Sequence, residues 1–141
     1  MALSTLQRRE KTSTLIEQRR AVVPGLDEIF RRVGIADDLA AVERRLLERT
    51  TSRSQLLAES GAYTVAAGGK RLRAALVLLS ARLGDYHLDR AIHPAAAVEL
   101  LHGASLIHDD LVDHADRRRG RVTVHTRWDN GVALMLGDYF F

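Results

Sequence analysis

The segment Glu99–Gly120, which reads ELLHGASLIHDDLVDHADRRRG, joins an apolar helical pattern to three aspartates and three consecutive arginines. Asp109 and Asp113 are four residues apart, so their side chains share one helix face, with Asp110 beside them. Three carboxylates at one helix end repel each other unless a cation lies between them. Because Mg²⁺ takes oxygen ligands and keeps coordination positions open for phosphate, the segment predicts a magnesium and phosphate site.

The neighbours of the aspartates are apolar, which favours partial burial of the acids. Leu106 and Ile107 precede them, and Leu111 and Val112 lie between them. A buried carboxylate needs a partner, and the arginines that follow are planar, two-pronged donors suited to phosphate. The alternative is a solvated helix end whose Asp–Arg neighbours form surface pairs of little energetic value.

Composition favours an all-α protein. The chain has 141 residues, of which 46% are hydrophobic, and two prolines, so it is long enough for one helical domain with a core. It has no cysteine, which excludes disulfides and thiolate metal sites. The net charge is only +3, and arginines alternate with glutamates, as in VERRLLERT at 42–50, so we expect no nucleic-acid partner.

Nothing in the sequence predicts a membrane span or a secretion signal. The first residues lack the apolar run of a signal peptide. The longest apolar stretch, AALVLLSA at 74–81, is far shorter than the roughly 20 residues that cross a bilayer. We therefore expect a cytoplasmic protein.

Residues 1–20 form a polar lead-in, and residues 21–141 form the helical domain. We expect Asp37 or Asp38 to cap one helix and Thr123 or Thr126 to begin the final one. The other expected elements are a helix from Leu26 that ends at Gly34, a second with the apolar stripe Leu39, Val42, Leu46 and Leu47, a third over 54–66, a fourth that ends at Gly84, a long helix over 89–113 and a polar loop over 114–123.

The motif GGKRLR at 68–73 predicts a second phosphate site. Two glycines directly before a helix let the backbone approach an anion closely, and the new helix N-terminus favours negative charge. Lys70 and Arg73 are three residues apart and share a face. A basic first turn opposes the helix dipole, which is easier to understand if an anion binds there.

The order of these motifs, followed by a helix with Gly137-Asp138, resembles the trans-isoprenyl diphosphate synthases, or polyprenyl synthetase family, over 68–141. The resemblance implies the N-terminal part of the isoprenoid-synthase helical bundle around a central cavity, usually in a homodimer. It implies a prenyltransferase that condenses an allylic diphosphate with isopentenyl diphosphate to a longer trans-polyprenyl diphosphate.

The resemblance also implies roles for single residues. The aspartate-rich motif would hold Mg²⁺ against the allylic diphosphate and act in catalysis: Asp109, Asp110 and Asp113. Arg118 would touch the same diphosphate. The isopentenyl diphosphate would be bound by Lys70, Arg73, His102 and Arg119. Arg71 and Arg117 receive no role.

Ala104 and Ser105 precede the aspartates at the positions where side-chain bulk limits product length in this family. Both are small, so the resemblance implies a product longer than fifteen carbons.

Two departures from the family pattern affect these expectations. The usual proline after RLR is Ala74, which implies a small loss of rigidity. The second acidic motif and the later lysine and glutamine positions are missing, and the apolar segment 131–141 ends the chain. We therefore expect this chain to bind Mg²⁺ and diphosphate poorly and to be inactive alone, acting with a second copy or a complementing chain.

Two alternatives remain open. One is a non-catalytic partner or regulatory subunit built from part of the synthase fold. The other is a His-Asp metal phosphohydrolase with His108-Asp109 at its centre, although this leaves GGKRLR and RRG unexplained. Its further candidate ligands are His93, His102, His114 and His125.

Overall fold

A computed structural model describes residues 25–141, so the predicted lead-in at 1–20 lies outside the described residues. The described chain is mostly helical, which confirms the all-α prediction. Its elements are α1 (Leu26–Arg32), α2 (Ala36–Arg49), α3 (Gln55–Ala66), α4 (Leu72–Ala81), α5 (Leu88–Val112), β1 (Arg117–Arg118), β2 (Arg121–Val122), α6 (Val124–Arg127) and α7 (Asn130–Phe140). Of the described residues, 25–34 and 35–141 belong to two separate units. In the first, α1 matches the predicted helix, and Gly34 follows it with a positive φ of 71°.

The long helix α5 is the centre of the second unit. It packs against α2, α4, α6 and α7. Alanine occupies several buried positions of this helix, which lets neighbouring helices approach closely. These alanines are Ala91, Ala95, Ala96 and Ala104. The predicted range of this helix, 89–113, agrees with Leu88–Val112 to one residue at each end.

Helix α2 presents most of its predicted apolar stripe, but its predicted cap is wrong. Its buried residues are Leu39, Val42 and Leu46, whereas Leu47 is 46% exposed. The N-cap position is Ile35, without a side-chain cap. Asp38 is engaged elsewhere, because its Oδ2 accepts hydrogen bonds from Arg82 Nη2 at 2.8 Å and the Tyr86 hydroxyl at 2.6 Å.

Helix α3 agrees with its predicted range, and a side-chain cap that the sequence analysis did not predict stabilises its start. The Ser54 hydroxyl accepts a hydrogen bond from the Leu57 amide at 3.4 Å. The predicted start of the final helix at Thr123 or Thr126 is wrong, because Thr123 is the N-cap of the short helix α6. The final helix α7 instead begins after Asp129, whose Oδ1 accepts from the Val132 amide at 2.8 Å.

The predicted polar loop over 114–123 contains a β-hairpin, so that prediction is wrong. Strands β1 and β2 pair antiparallel, with Arg117 opposite Val122 and Arg118 opposite Arg121. Arg119 and Gly120 both have positive φ, 52° and 78°, which is the backbone of a two-residue type I′ turn.

Glycine permits a close contact between α5 and α7. A Cβ atom at Gly137 would lie 2.1 Å from His108 Nε2, and this nitrogen is 3.2 Å from the Leu134 carbonyl oxygen. On the same pair of helices, a Cβ at Gly103 would meet the Phe140 ring at 3.6 Å. The close approach therefore depends on Gly137, whereas a Cβ at Gly103 would make only an ordinary van der Waals contact.

Within residues 25–141, no helix is both long enough and apolar enough to cross a membrane.

We predict that Gly137→Ala destabilises the fold by about 1–3 kcal/mol, because the new methyl group displaces the His108 ring. Gly84→Ala is the matched control, since a Cβ there meets no atom within 4 Å. Urea unfolding of both variants measures the difference. Adding His108→Ala to Gly137→Ala should recover part of the loss, and equal unfolding free energies for the two glycine variants would contradict the prediction.

Candidate functional site

A cavity of about 680 Å³ lies among the end of α3, the Gly68-Gly69 loop, the start of α4, the middle of α5 and the hairpin. Two of its lining residues are acidic, Glu99 and Asp110, and its apolar wall includes Leu106 and Ile107. Six cationic side chains also line the cavity: Lys70, Arg71, Arg73, Arg118, Arg119 and Arg121. His102 lies among them, so every residue predicted to bind isopentenyl diphosphate reaches one cavity.

Arg71, for which no role was predicted, anchors the loop before α4. Its backbone is left-handed, with φ of 44°, at the N-cap position of α4. Its guanidinium forms a two-pronged contact with Glu43, in which Nη2 donates to Oε2 at 3.0 Å, and it also donates to the Val65 carbonyl at 3.1 Å. These bonds stabilise a backbone conformation that is costly for a side chain with a Cβ.

Glu99 links α5 to α4, and no role was predicted for it from the sequence. It is 8% exposed, and its Oε1 accepts a hydrogen bond from the Ala74 amide at 3.1 Å. Its Oε2 lies 3.7 Å from Arg71 Nη1. The Ala74 amide at the N-terminus of α4, a helix end that was expected to face an anion, therefore donates to the Glu99 carboxylate instead. The only sequence signal was an isolated glutamate in an apolar helical run.

Ala74 gains a role from this contact. The family pattern has proline at this position, and a proline has no N–H to donate. In this chain the Ala74 amide is bound to Glu99 instead. The expected loss of rigidity concerns the start of α4, where proline is missing. The buried hydrogen bond from Ala74 to Glu99 holds this turn against α5 instead.

His102 lies in an environment that disfavours its charged form. Burial lowers the pKa of its imidazole below the usual range. The positive charges of Arg73, Arg119 and Arg118 lower this pKa further, and Glu99 opposes them. The folded chain therefore favours a neutral imidazole, which carries one donor and one acceptor nitrogen.

The hairpin arginines face different partners. Arg118 Nε donates to Asp110 Oδ1 at 2.7 Å, and Arg119 Nη1 donates to the Gly68 carbonyl at 3.1 Å. Arg117 instead donates to the Gly120 carbonyl within the hairpin and is outside the cavity lining. The hairpin thus connects the aspartate end of α5 to the glycine loop.

Tyr63 fixes the hairpin from α3, a contact that the sequence did not indicate. Its hydroxyl donates to the Val122 carbonyl at 2.8 Å. The guanidinium carbons of Arg121 and Arg127 each lie 4.4 Å from the centre of its ring, and Trp128 meets the ring edge-on at 5.4 Å. The hydroxyl bond and the contact with Arg121 tie Tyr63 to the hairpin, and the contact with Arg127 ties it to α6.

The three aspartates differ in exposure. Asp110 is 7% exposed and lines the cavity, whereas Asp109 and Asp113 are exposed and are outside its lining. The predicted partial burial holds for Asp110 and is wrong for the other two, because Asp109 and Asp113 share a helix face that is exposed to solvent. All three supply the hard oxygen ligands that suit Mg²⁺, so the residues fit this ion chemically.

Among residues 25–141, no group of three or more His, Asp or Glu side chains is arranged to hold a metal ion. The finding covers the three aspartates as well as the histidines of the phosphohydrolase alternative, which are dispersed. His102 lines the cavity, His108 contacts α7 and His93 lies 3.4 Å from Arg45 Nη2.

The two small residues before the aspartates are outside the cavity lining. Ala104 is fully buried, and the half-buried Ser105 donates its hydroxyl hydrogen to the His102 carbonyl at 2.9 Å. Their effect on product length stays a prediction.

Residues 54–141 match the family described as Polyprenyl synthetase. Heptaprenyl diphosphate synthase component 2 of Geobacillus stearothermophilus is 50% identical over 107 residues, which cover 76% of this chain and 33% of the relative. Octaprenyl diphosphate synthase of Escherichia coli (strain K12) is 38% identical over 106 residues, covering 75% and 33%. The chain therefore spans about a third of the length of these relatives.

Solved structures share the fold. A decaprenyl diphosphate synthase from Rhodobacter capsulatus aligns with a TM-score of 0.75 and 41% identity, covering 83% of this chain and 36% of that one. A polyprenyl synthase from Caulobacter crescentus CB15, complexed with calcium and isoprenyl diphosphate, aligns with a TM-score of 0.76 and 36% identity, covering 83% and 35%. The predicted fold is confirmed over that part of these proteins.

We predict that His102→Gln weakens the acid sensitivity of folding. Because the pKa of His102 is lowered in the folded chain, the unfolded chain binds more protons below about pH 6.5, and stability falls as the pH drops through that range. Urea unfolding between pH 5 and 8 should show a smaller fall in His102→Gln than in the wild type. The control is His87→Gln, at an exposed position. Parallel curves for wild type and His102→Gln would contradict the prediction.

Proposed function

Because the chain belongs to the polyprenyl synthetase family, we propose that it supplies the first diphosphate-binding half of a prenyltransferase. The enzyme would condense an allylic diphosphate with isopentenyl diphosphate to a longer trans-polyprenyl diphosphate. One observation carries the proposal. The positively charged cavity collects residues from the glycine loop, α5 and the hairpin, which are far apart in sequence.

The isopentenyl diphosphate would bind among the cations at the start of α4. Lys70 offers a compact charge and Arg73 a planar fork, so together they suit the several oxygens of a diphosphate. Arg119 reaches the same cavity from the hairpin. The neutral imidazole of His102 would donate one hydrogen bond to a phosphate oxygen without adding to the repulsion among these cations.

The allylic diphosphate would bind at the aspartate end of α5. Asp109, Asp110 and Asp113 would hold Mg²⁺, and Arg118 would contact the same diphosphate. When bound, Mg²⁺ supplies neutralisation of the charge on the leaving group. Arg118 would add a fixed positive charge where negative charge develops, and its bond to Asp110 holds it there.

The reaction then needs no protein nucleophile. The allylic carbon–oxygen bond breaks and the diphosphate leaves with the bonding electrons. The isopentenyl double bond attacks the allylic cation, and loss of a proton forms the new double bond. Leu106 and Ile107 line the cavity and would shield the cation from water.

Catalysis by the whole protein would need the remaining acidic ligands, either from further chain or from a partner. The relative from Geobacillus stearothermophilus is named a component, and this supports a complementing chain. A homodimer is the other arrangement that the family resemblance implies. The chain by itself would bind substrate without turnover.

A non-catalytic partner or regulatory subunit is the second candidate, favoured by the same component name. Against it, the cavity keeps charged side chains that a purely structural subunit does not need. Elongation that appears only on adding a second chain, and that survives loss of Lys70 and Arg73, would favour this candidate.

We predict that the wild-type chain binds isopentenyl diphosphate and that Lys70→Gln/Arg73→Gln weakens binding at least about tenfold, since each lost charge-assisted bond contributes about 1.5–3 kcal/mol. Calorimetric titration measures both affinities. The matched control Arg44→Gln/Arg53→Gln removes two exposed charges outside the cavity lining and should bind almost like the wild type. Equal affinities in the two double variants would contradict the proposed site.

A further inference from the structure

We infer that Glu99 is a positioning residue for the diphosphate site. Its carboxylate fixes the first turn of α4 and thereby places Lys70 and Arg73 in the cavity. The inference rests on the proposed function and adds to it a residue that would touch neither the metal nor the reacting carbons.

The contacts of Glu99 reach Arg71 within the GGKRLR segment and Ala74 directly after it. One oxygen accepts the Ala74 amide inside the first turn of α4, at 3.1 Å. The other lies 3.7 Å from the guanidinium of Arg71, which is itself held by Glu43. One buried carboxylate on α5 therefore fixes the residues on either side of Arg73.

The backbone at Arg71 explains why this fixing is needed. Its left-handed φ of 44° lies directly between Lys70 and the first helical residue, Leu72. If Arg71 relaxed to an ordinary φ, the chain direction before α4 would change and Lys70 would turn with it. The side-chain contacts of Arg71 with Glu43, Val65 and Glu99 oppose that relaxation.

The negative charge of Glu99, taken alone, would weaken the binding of an anion, whereas its positioning of Lys70 and Arg73 would strengthen it. Glu99 lines the cavity, so its negative charge repels an incoming diphosphate. If charge were its only influence, every neutral substitution would tighten anion binding equally. If it acts by positioning, the neutral substitution that keeps a hydrogen-bond acceptor should bind better than those that lack one.

The experiment compares Glu99→Gln with Glu99→Ala and Glu99→Leu in the full chain. Glutamine keeps an oxygen that can accept from the Ala74 amide. Leucine fills the volume of the side chain without an acceptor, so Glu99→Leu replaces Glu99→Ala if the alanine variant does not fold. Glu48→Gln is the control. Glu48 is exposed on α2, and its carboxylate forms an ion pair with Arg45, one helical turn away, at 3.0 Å. Calorimetry with inorganic pyrophosphate gives the affinity, and amide hydrogen exchange reports the Ala74 bond.

We expect Glu99→Gln to bind pyrophosphate at least about fivefold more tightly than Glu99→Ala or Glu99→Leu, with Ala74 exchange slow only in the glutamine variant. Equal affinities in the three variants, with wild-type binding intact, would overturn the inference and leave the proposed function standing. Absence of pyrophosphate binding in the folded wild type would overturn the proposed function, and the inference with it.

Discussion

Close packing along α5 is the constraint on which the rest of the structure depends. Alanines at its inward positions let α2, α4 and α7 approach the backbone, and Gly137 on α7 leaves room for the His108 ring. The larger polar residues of α5 then project where the helix has space for them. Glu99, His102 and Asp110 all reach the same cavity, one after another along its wall.

Acids in and beside the cavity, of which Glu99 and Asp110 are buried and Glu43 is partly exposed, hold cations in place without neutralising the whole cavity. Glu99 and Glu43 contact Arg71, and Asp110 contacts Arg118. Lys70 and Arg73 remain exposed side chains in the cavity lining. Such an arrangement concentrates positive charge around an open space, and an anion bound there would relieve the repulsion among the cations.

The sequence predicted the parts of the site that short motifs encode. The motifs GGKRLR and RRG identified four cationic residues that line the cavity, Lys70, Arg73, Arg118 and Arg119, and helical spacing located α3 and α5 closely. It did not predict the hairpin, because an Arg-Gly turn lacks the usual Asn-Gly signal. It also missed Arg71, Glu99 and Tyr63, since their roles depend on contacts between distant segments, such as the Tyr63 bond to Val122.

The proposed function requires the aspartate end of α5 and the adjoining cavity to form one site for a magnesium diphosphate. Calorimetric titration of geranyl diphosphate, with and without Mg²⁺, distinguishes this site in the wild type from Asp109→Ala/Asp113→Ala. We expect weak binding that Mg²⁺ strengthens in the wild type and not in the variant. Binding that is equal with and without Mg²⁺, or an equal Mg²⁺ effect in both proteins, would contradict it.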